Sequence, residues 1–149
     1  MKIAVSACLF GRNVKYNGGN NRNEELIGLL KDHEVILLCP ETAGGLSVPR
    51  DASEQQNDRI INCRGSDVTD AYSRGTDLCM QKIKEENVQL VILKARSPAC
   101  GKDQIYDGTF SHTLISRDGT LAEAVRQAGL PLFSEEEIAD IRAYLCHTM

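Results

Sequence analysis

The 149 residues, 42% hydrophobic and 26% charged, have the composition of a folded domain, which excludes a disordered chain and a coiled coil. One domain is expected over 1–149, burying roughly 70% of the surface that its unfolded chain exposes. The net charge of −4 and the lack of a long basic run argue against DNA binding through phosphates, while leaving room for one small base in a pocket. The apolar run from Ile3 to Val5 is too short for a signal-peptide core, and no stretch approaches the ~18 apolar residues of a membrane span. A cytoplasmic location without membrane contact is therefore expected. There the six cysteines stay reduced and serve as ligands, nucleophiles or core residues.

Lys2 to Ser6 reads as a short buried strand, followed by a turn-rich loop with Gly11, Asn17 and Gly18. Glu24 to Lys31 is predicted as a helix with Leu26, Leu29 and Leu30 at helix-face spacing. Glu34 to Leu38 is a second apolar strand that runs into Cys39 and Pro40. The polar stretch from Thr42 to Asp58 reads as a long loop. Arg59 to Asn62 and Ser66 to Thr69 pair as a hairpin around Arg64 and Gly65. Thr69 or Asp70 then caps a helix from Ala71 to Glu86 that buries Tyr72, Leu78, Cys79 and Ile83. Val88 to Leu93 is a third strand, Gln104 to Ser116 a second hairpin, Leu121 to Ala128 a helix and Leu130 to Phe133 a short strand. Ser134 and Glu137 form a capping box for the last helix.

Continuous apolar strands alternating with helices define the α/β class, here a three-layer Rossmann-like parallel sheet with helices on both faces and long loops at the strand C-terminal ends. Ligands of such sheets bind beyond the carboxyl ends of the strands. Cys8, Cys39 and Cys100 each stand just past a predicted strand, so parallel strands bring the three thiols to one edge. Cys63 falls at a hairpin tip, Cys79 on a buried helix face and Cys146 near the C-terminus. His33, His112 and His147 show no ligand spacing and read as surface or structural.

Three thiolates suit a soft metal. A structural zinc site normally closes with four ligands, often paired at short spacing, and no such pairs occur here. An iron-sulfur cluster held by three cysteines leaves one iron open as a Lewis acid. A non-catalytic zinc module or a persulfide carrier remains open on spacing alone.

Several segments together resemble the thiouracil desulfurase family: Val5-Ser6-Ala7-Cys8-Leu9, Lys15-Tyr16-Asn17-Gly18, Cys39-Pro40-Glu41 with Gly44-Gly45-Leu46 and Pro49-Arg50, Ser97-Pro98-Ala99-Cys100-Gly101, and Tyr106-Asp107-Gly108-Thr109-Phe110. The resemblance implies a [4Fe-4S] cluster on Cys8, Cys39 and Cys100, with Glu41 and Ser97 as catalytic side chains. It also implies removal of sulfur from a thiolated pyrimidine as sulfide, with water supplying the oxygen. Gly45 and Arg50 are candidates to line the substrate pocket, and Tyr16 to close over the ring. Val14, Asn17 and Ala99 depart from the family pattern, which has cysteine, aspartate and serine at these places in many members. A desulfidase of thiolated tRNA nucleosides is a second enzymatic reading, disfavoured by the short chain and the acidic balance. Nothing in the sequence sets the oligomeric state.

Overall fold

A computed structural model describes residues 1–148. Its elements in chain order are β1 (Lys2–Ser6), α1 (Glu24–Leu29), β2 (Glu34–Leu38), α2 (Pro40–Ala43), β3 (Ser53–Gln56), β4 (Arg59–Asn62), α3 (Thr69–Glu85), β5 (Leu90–Leu93), β6 (Gln104–Tyr106), β7 (Leu114–Ser116), α4 (Thr120–Gln127), β8 (Leu132–Ser134) and α5 (Ile138–Thr148). Four strands form a parallel sheet in the order β2-β1-β5-β8, with Ile3 in register with both Val35 and Leu90.

The alternation of side chains along each strand explains the three layers. Ile3, Val5, Leu90 and Ile92 project to one face, against Leu26 and Leu30 from α1 and its end and Ile141 and Leu145 of α5. Ala4, Val91 and Leu93 project to the other, against Tyr72, Cys79 and Ile83 of α3 and Leu121 and Val125 of α4. Because both faces are covered, the strands carry no polar alternation, which is why they read as continuous apolar runs. Each fully buried Leu or Ile contributes roughly 1.5–3 kcal/mol of transfer free energy.

The structure corrects three local expectations. Leu78 is 45% exposed, because it lies about 120° around the helix from the stripe of Tyr72, Cys79 and Ile83. The stretch from Thr42 to Asp58 is not all loop: α2 ends within it, and β3 pairs antiparallel with β4 across Asn57-Asp58, where Asn57 takes φ 55°. The predicted pairing of Arg59–Asn62 with Ser66–Thr69 survives as one bridge, Ile61 to Asp67, and Asp67 accepts the Thr69 N–H in place of a Thr69 or Asp70 cap. At the last helix Glu137 reaches back to the Ser134 N–H at 3.0 Å, while the Ser134 hydroxyl accepts from Glu136.

Two glycines seat the turn after β2. A Cβ on Gly75 of α3 would lie 1.7 Å from the Pro40 carbonyl oxygen, and one on Gly44 would lie 1.9 Å from the Ala71 oxygen. Only hydrogen at both positions lets α2 rest directly on the backbone of α3.

Candidate active site

The turns that follow β1, β2 and β5 bring Cys8, Cys39 and Cys100 to one cavity of about 400 Å³ at the carboxyl edge of the sheet. Each turn is shaped by local chemistry. Cys8 sits in a 3-10 turn, Ala7–Phe10, that closes at Gly11 with φ 87°, a left-handed conformation that a side chain resists. Cys39 is the extended N-cap residue of α2, followed by Pro40 at the first helical position. Cys100 follows a tight turn in which the Ser97 hydroxyl oxygen accepts both the Ala99 and the Cys100 N–H, each at 3.1 Å. Gly119 packs beneath this turn, where a Cβ would lie 2.4 Å from the Ala99 carbonyl carbon. Arg96, held at φ 67°, is fixed by a two-pronged ion pair with Glu136 at 3.0 and 2.9 Å.

The thiols influence one another. Burial pushes the Cys100 thiol well up, the Ser6 hydroxyl bonded to it pulls the other way, and Glu41, Cys8 and Cys39 push it further up. Burial raises Cys8 as well; Asn21 and then Lys94 offset part of this, and Cys39 adds to it. Among the described residues no group of three or more His, Cys, Asp or Glu side chains is set to grip a single metal ion. Zinc draws its ligands to within about 2.0–2.3 Å, whereas a multi-iron cluster spans thiolates spread over a pocket wall. Three thiols spread around the wall of one cavity suit the second kind of group better than a single ion.

Glu41, in the first turn of α2, is held from one side. Its Oε2 accepts from Arg50 Nη2 at 3.1 Å and from the Tyr72 hydroxyl at 3.2 Å. Neither bond uses Oε1. Arg50 also donates to the Val14 and Ser47 carbonyl oxygens at 2.8 and 3.2 Å, and its side chain is only 7% exposed. Its Nε is buried without a partner among the described residues. Tyr72 is raised far above the ordinary phenol range, first by burial and then by the Glu41 charge, so it stays a donor.

Cys8, Cys39, Cys100, Glu41, Ser97, Arg50 and Tyr16 all line the cavity. Tyr16 is at its rim, 45% exposed, and Tyr106 and His112 form another part of that rim with ring centroids 6.0 Å apart. His112 therefore borders the site instead of lying apart from it. Gly45 does not line the cavity; with φ 95° it turns the chain out of α2. Ala99 is fully buried in the core under the turn. Cys79 is buried behind Cys39, while Cys63 and Cys146 are exposed.

Sequence reasoning missed Tyr72 as a partner of Glu41, and also Ser6, Lys94 and the β3 strand. A buried tyrosine needs a hydroxyl partner, and a lysine set directly after an apolar strand is out of place in a core; both signals were present in the sequence. On β3, Gln55 Nε2 donates to the Pro98 and Asp118 carbonyl oxygens, and Glu54 accepts the Gly108 and Phe110 N–H groups.

A Rossmann-like sheet whose carboxyl edge offers three thiols, a fixed carboxylate and a turn-capping serine to one cavity has the layout of a small α/β enzyme. The chain belongs to the 2-thiouracil desulfurase family, whose model matches residues 3–137. It is 37% identical to the uncharacterized protein YbbK of Bacillus subtilis (strain 168), over 93% of this chain and 99% of that protein. It is also similar to the solved structure of the [4Fe-4S]-dependent thiouracil desulfidase TudS, with a TM-score of 0.90 and 33% identity over 97% of each chain.

Proposed function

We propose that this enzyme converts a thiolated pyrimidine, a thiouracil-like base or small nucleoside, to its oxo form and releases the sulfur as sulfide. Cys8, Cys39 and Cys100 hold a [4Fe-4S] cluster. When bound, the cluster supplies an iron without a protein ligand, a Lewis acid suited to the substrate sulfur. The observation that carries the reading is the meeting of these three strand-end thiols with Glu41 and Ser97 in one cavity.

Glu41 supplies the base. With Oε2 committed to Arg50 and Tyr72, Oε1 takes a proton from water and returns it to the ring nitrogen. Ser97 uses its oxygen to accept two backbone N–H groups, which leaves its O–H to orient that water or the ring. Arg50, buried with its Nε unpaired among the described residues, fixes the carboxylate through Nη2. Tyr16 and Tyr106 offer apolar faces to a ring at the rim. Water and the C=S group become C=O and hydrogen sulfide, with no electrons exchanged. Six cysteines free of disulfides suit a reducing cytoplasm.

The test is anaerobic reconstitution. About four irons and four acid-labile sulfides per chain are expected, lost in Cys8→Ala, Cys39→Ala and Cys100→Ala and kept in Cys63→Ala. The loaded enzyme should turn 2-thiouracil into uracil and sulfide, and Glu41→Ala should keep its iron while losing turnover. Protein that stays iron-free overturns the reading.

A further inference from the structure

Two of the four parallel strands end on a buried serine, Ser6 of β1 and Ser134 of β8. Ser134 is accounted for by the capping of the last helix. Ser6, only 3% exposed, has no such duty. Two residues on from Ala4, it projects to the same face of the sheet, where Ala4, Leu93, Ala99 and Cys100 share one core. A buried hydroxyl needs a partner for its hydrogen as well as for its oxygen. The oxygen accepts the Lys94 N–H at 2.9 Å, where β5 ends beside β1. The hydrogen is left for Cys100, whose thiol is bonded to the Ser6 side chain.

The backbone around Cys100 is committed elsewhere. The Ala99 and Cys100 N–H groups go to the Ser97 hydroxyl, each at 3.1 Å, and the Gly101 N–H goes to the Ser97 carbonyl at 2.8 Å. Cys8 sits differently, half-buried with Asn21 as its side-chain donor. Cys100 is 4% exposed, so bulk water does not stand in for a missing donor there. A thiolate in that position without a hydrogen bond carries an uncompensated charge.

We propose that Ser6 is a positioning residue for the iron-sulfur cluster, keeping its hydroxyl hydrogen on the Cys100 sulfur so that the most buried of the three thiols can serve as an iron ligand. This rests on the desulfurase reading and adds a residue to which neither the ligand set nor Glu41 and Ser97 gives a role. The bond is charge-assisted, an O–H donor on a sulfur anion, and the Lys94 N–H on the same oxygen polarises it further.

The experiment compares Ser6→Thr with Ser6→Val in anaerobically loaded enzyme, two side chains that share a shape and differ by the hydroxyl. Two quantities are read: the midpoint potential of the bound cluster, by dithionite titration followed by electron paramagnetic resonance, and iron retention in competition with a chelator. A donor on a thiolate favours the more negative, reduced cluster, so Ser6→Val should titrate at a more negative potential than Ser6→Thr, which should stay near wild type. Ser6→Val should also hold iron roughly ten- to hundredfold more weakly. A merely structural role would loosen iron and leave the potential of the bound cluster in place. If the added methyl keeps Thr or Val from folding, Ser6→Ala against wild type gives the same comparison without it. Equal potentials in Ser6→Thr and Ser6→Val, or in Ser6→Ala and wild type, overturn the assignment while the desulfurase reading stands. A wild-type enzyme that takes up no iron overturns that reading and this one with it.

Discussion

Tyr72 reaches across from α3 to give its phenolic hydrogen to Glu41 Oε2 at 3.2 Å, on the same oxygen that Arg50 engages at 3.1 Å. The carboxylate is thus gripped by one edge and presents the other. Tyr72→Phe removes a neutral hydrogen bond and should lower kcat several-fold with KM and iron content unchanged. Arg50→Met removes a charge from a 7% exposed side chain and leaves Glu41, 17% exposed, without its counter-ion. It should destabilise the apoprotein by about 3 kcal/mol in urea unfolding, far more than Tyr72→Phe.

Ser97 has two duties that substitution can separate. Ser97→Ala deprives the Ala99 and Cys100 N–H groups of their acceptor, so it should cost about 1 kcal/mol and speed iron loss to a chelator. Ser97→Asn keeps an acceptor and should restore iron retention without restoring turnover.

Thiol reactivity should divide five of the six cysteines into classes. Cys79 is pushed up to about 12, chiefly by burial, and should resist iodoacetamide in the native protein at neutral pH. Cys63 and Cys146 are exposed and should label at once, whether or not iron is present. Cys8 and Cys39 should label in the apoprotein and become protected on loading, as read by mass spectrometry of peptides. Labelling of Cys8 that ignores iron would remove it from the ligand set.

Gly75→Ala tests how the Cys39 turn is seated. Its new methyl would meet the Pro40 carbonyl at 1.7 Å, so α2 must lift from α3. Destabilisation of about 3 kcal/mol or more is expected, with loss of iron binding, although residue 75 touches neither thiol nor cavity. Exposed Gly65, with open space around it, is no guide to this cost.

The parallel sheet and its two faces were legible because each strand is a short apolar run and each covering helix has its own apolar stripe. The meeting of Cys8, Cys39 and Cys100 followed from that topology alone. The β3 strand was not legible: Glu54, Gln55 and Gln56 are polar because their side chains bind loop backbones, and a strand that serves as a bracket has no hydrophobic alternation to read. Gly45 was singled out for a motif whose glycines serve the turn and the helix contact. The partners of Glu41 were hidden because Arg50 and Tyr72 come from 9 and 31 residues away, a separation over which local patterns say nothing.

The bracket on β3 also separates two tasks. Gln55 fastens the turn before Cys100 through the Pro98 carbonyl, while its neighbours Glu54 and Gln56 fasten the 107–110 loop near the rim through Gly108 and Phe110. The loop between the rim residues Tyr106 and His112 thus hangs from different side chains than the turn that carries a thiol. On the proposed reading, insertions and exchanges in that loop retune the rim while the thiol edge stays in place, giving one scaffold a replaceable doorway over a fixed hearth.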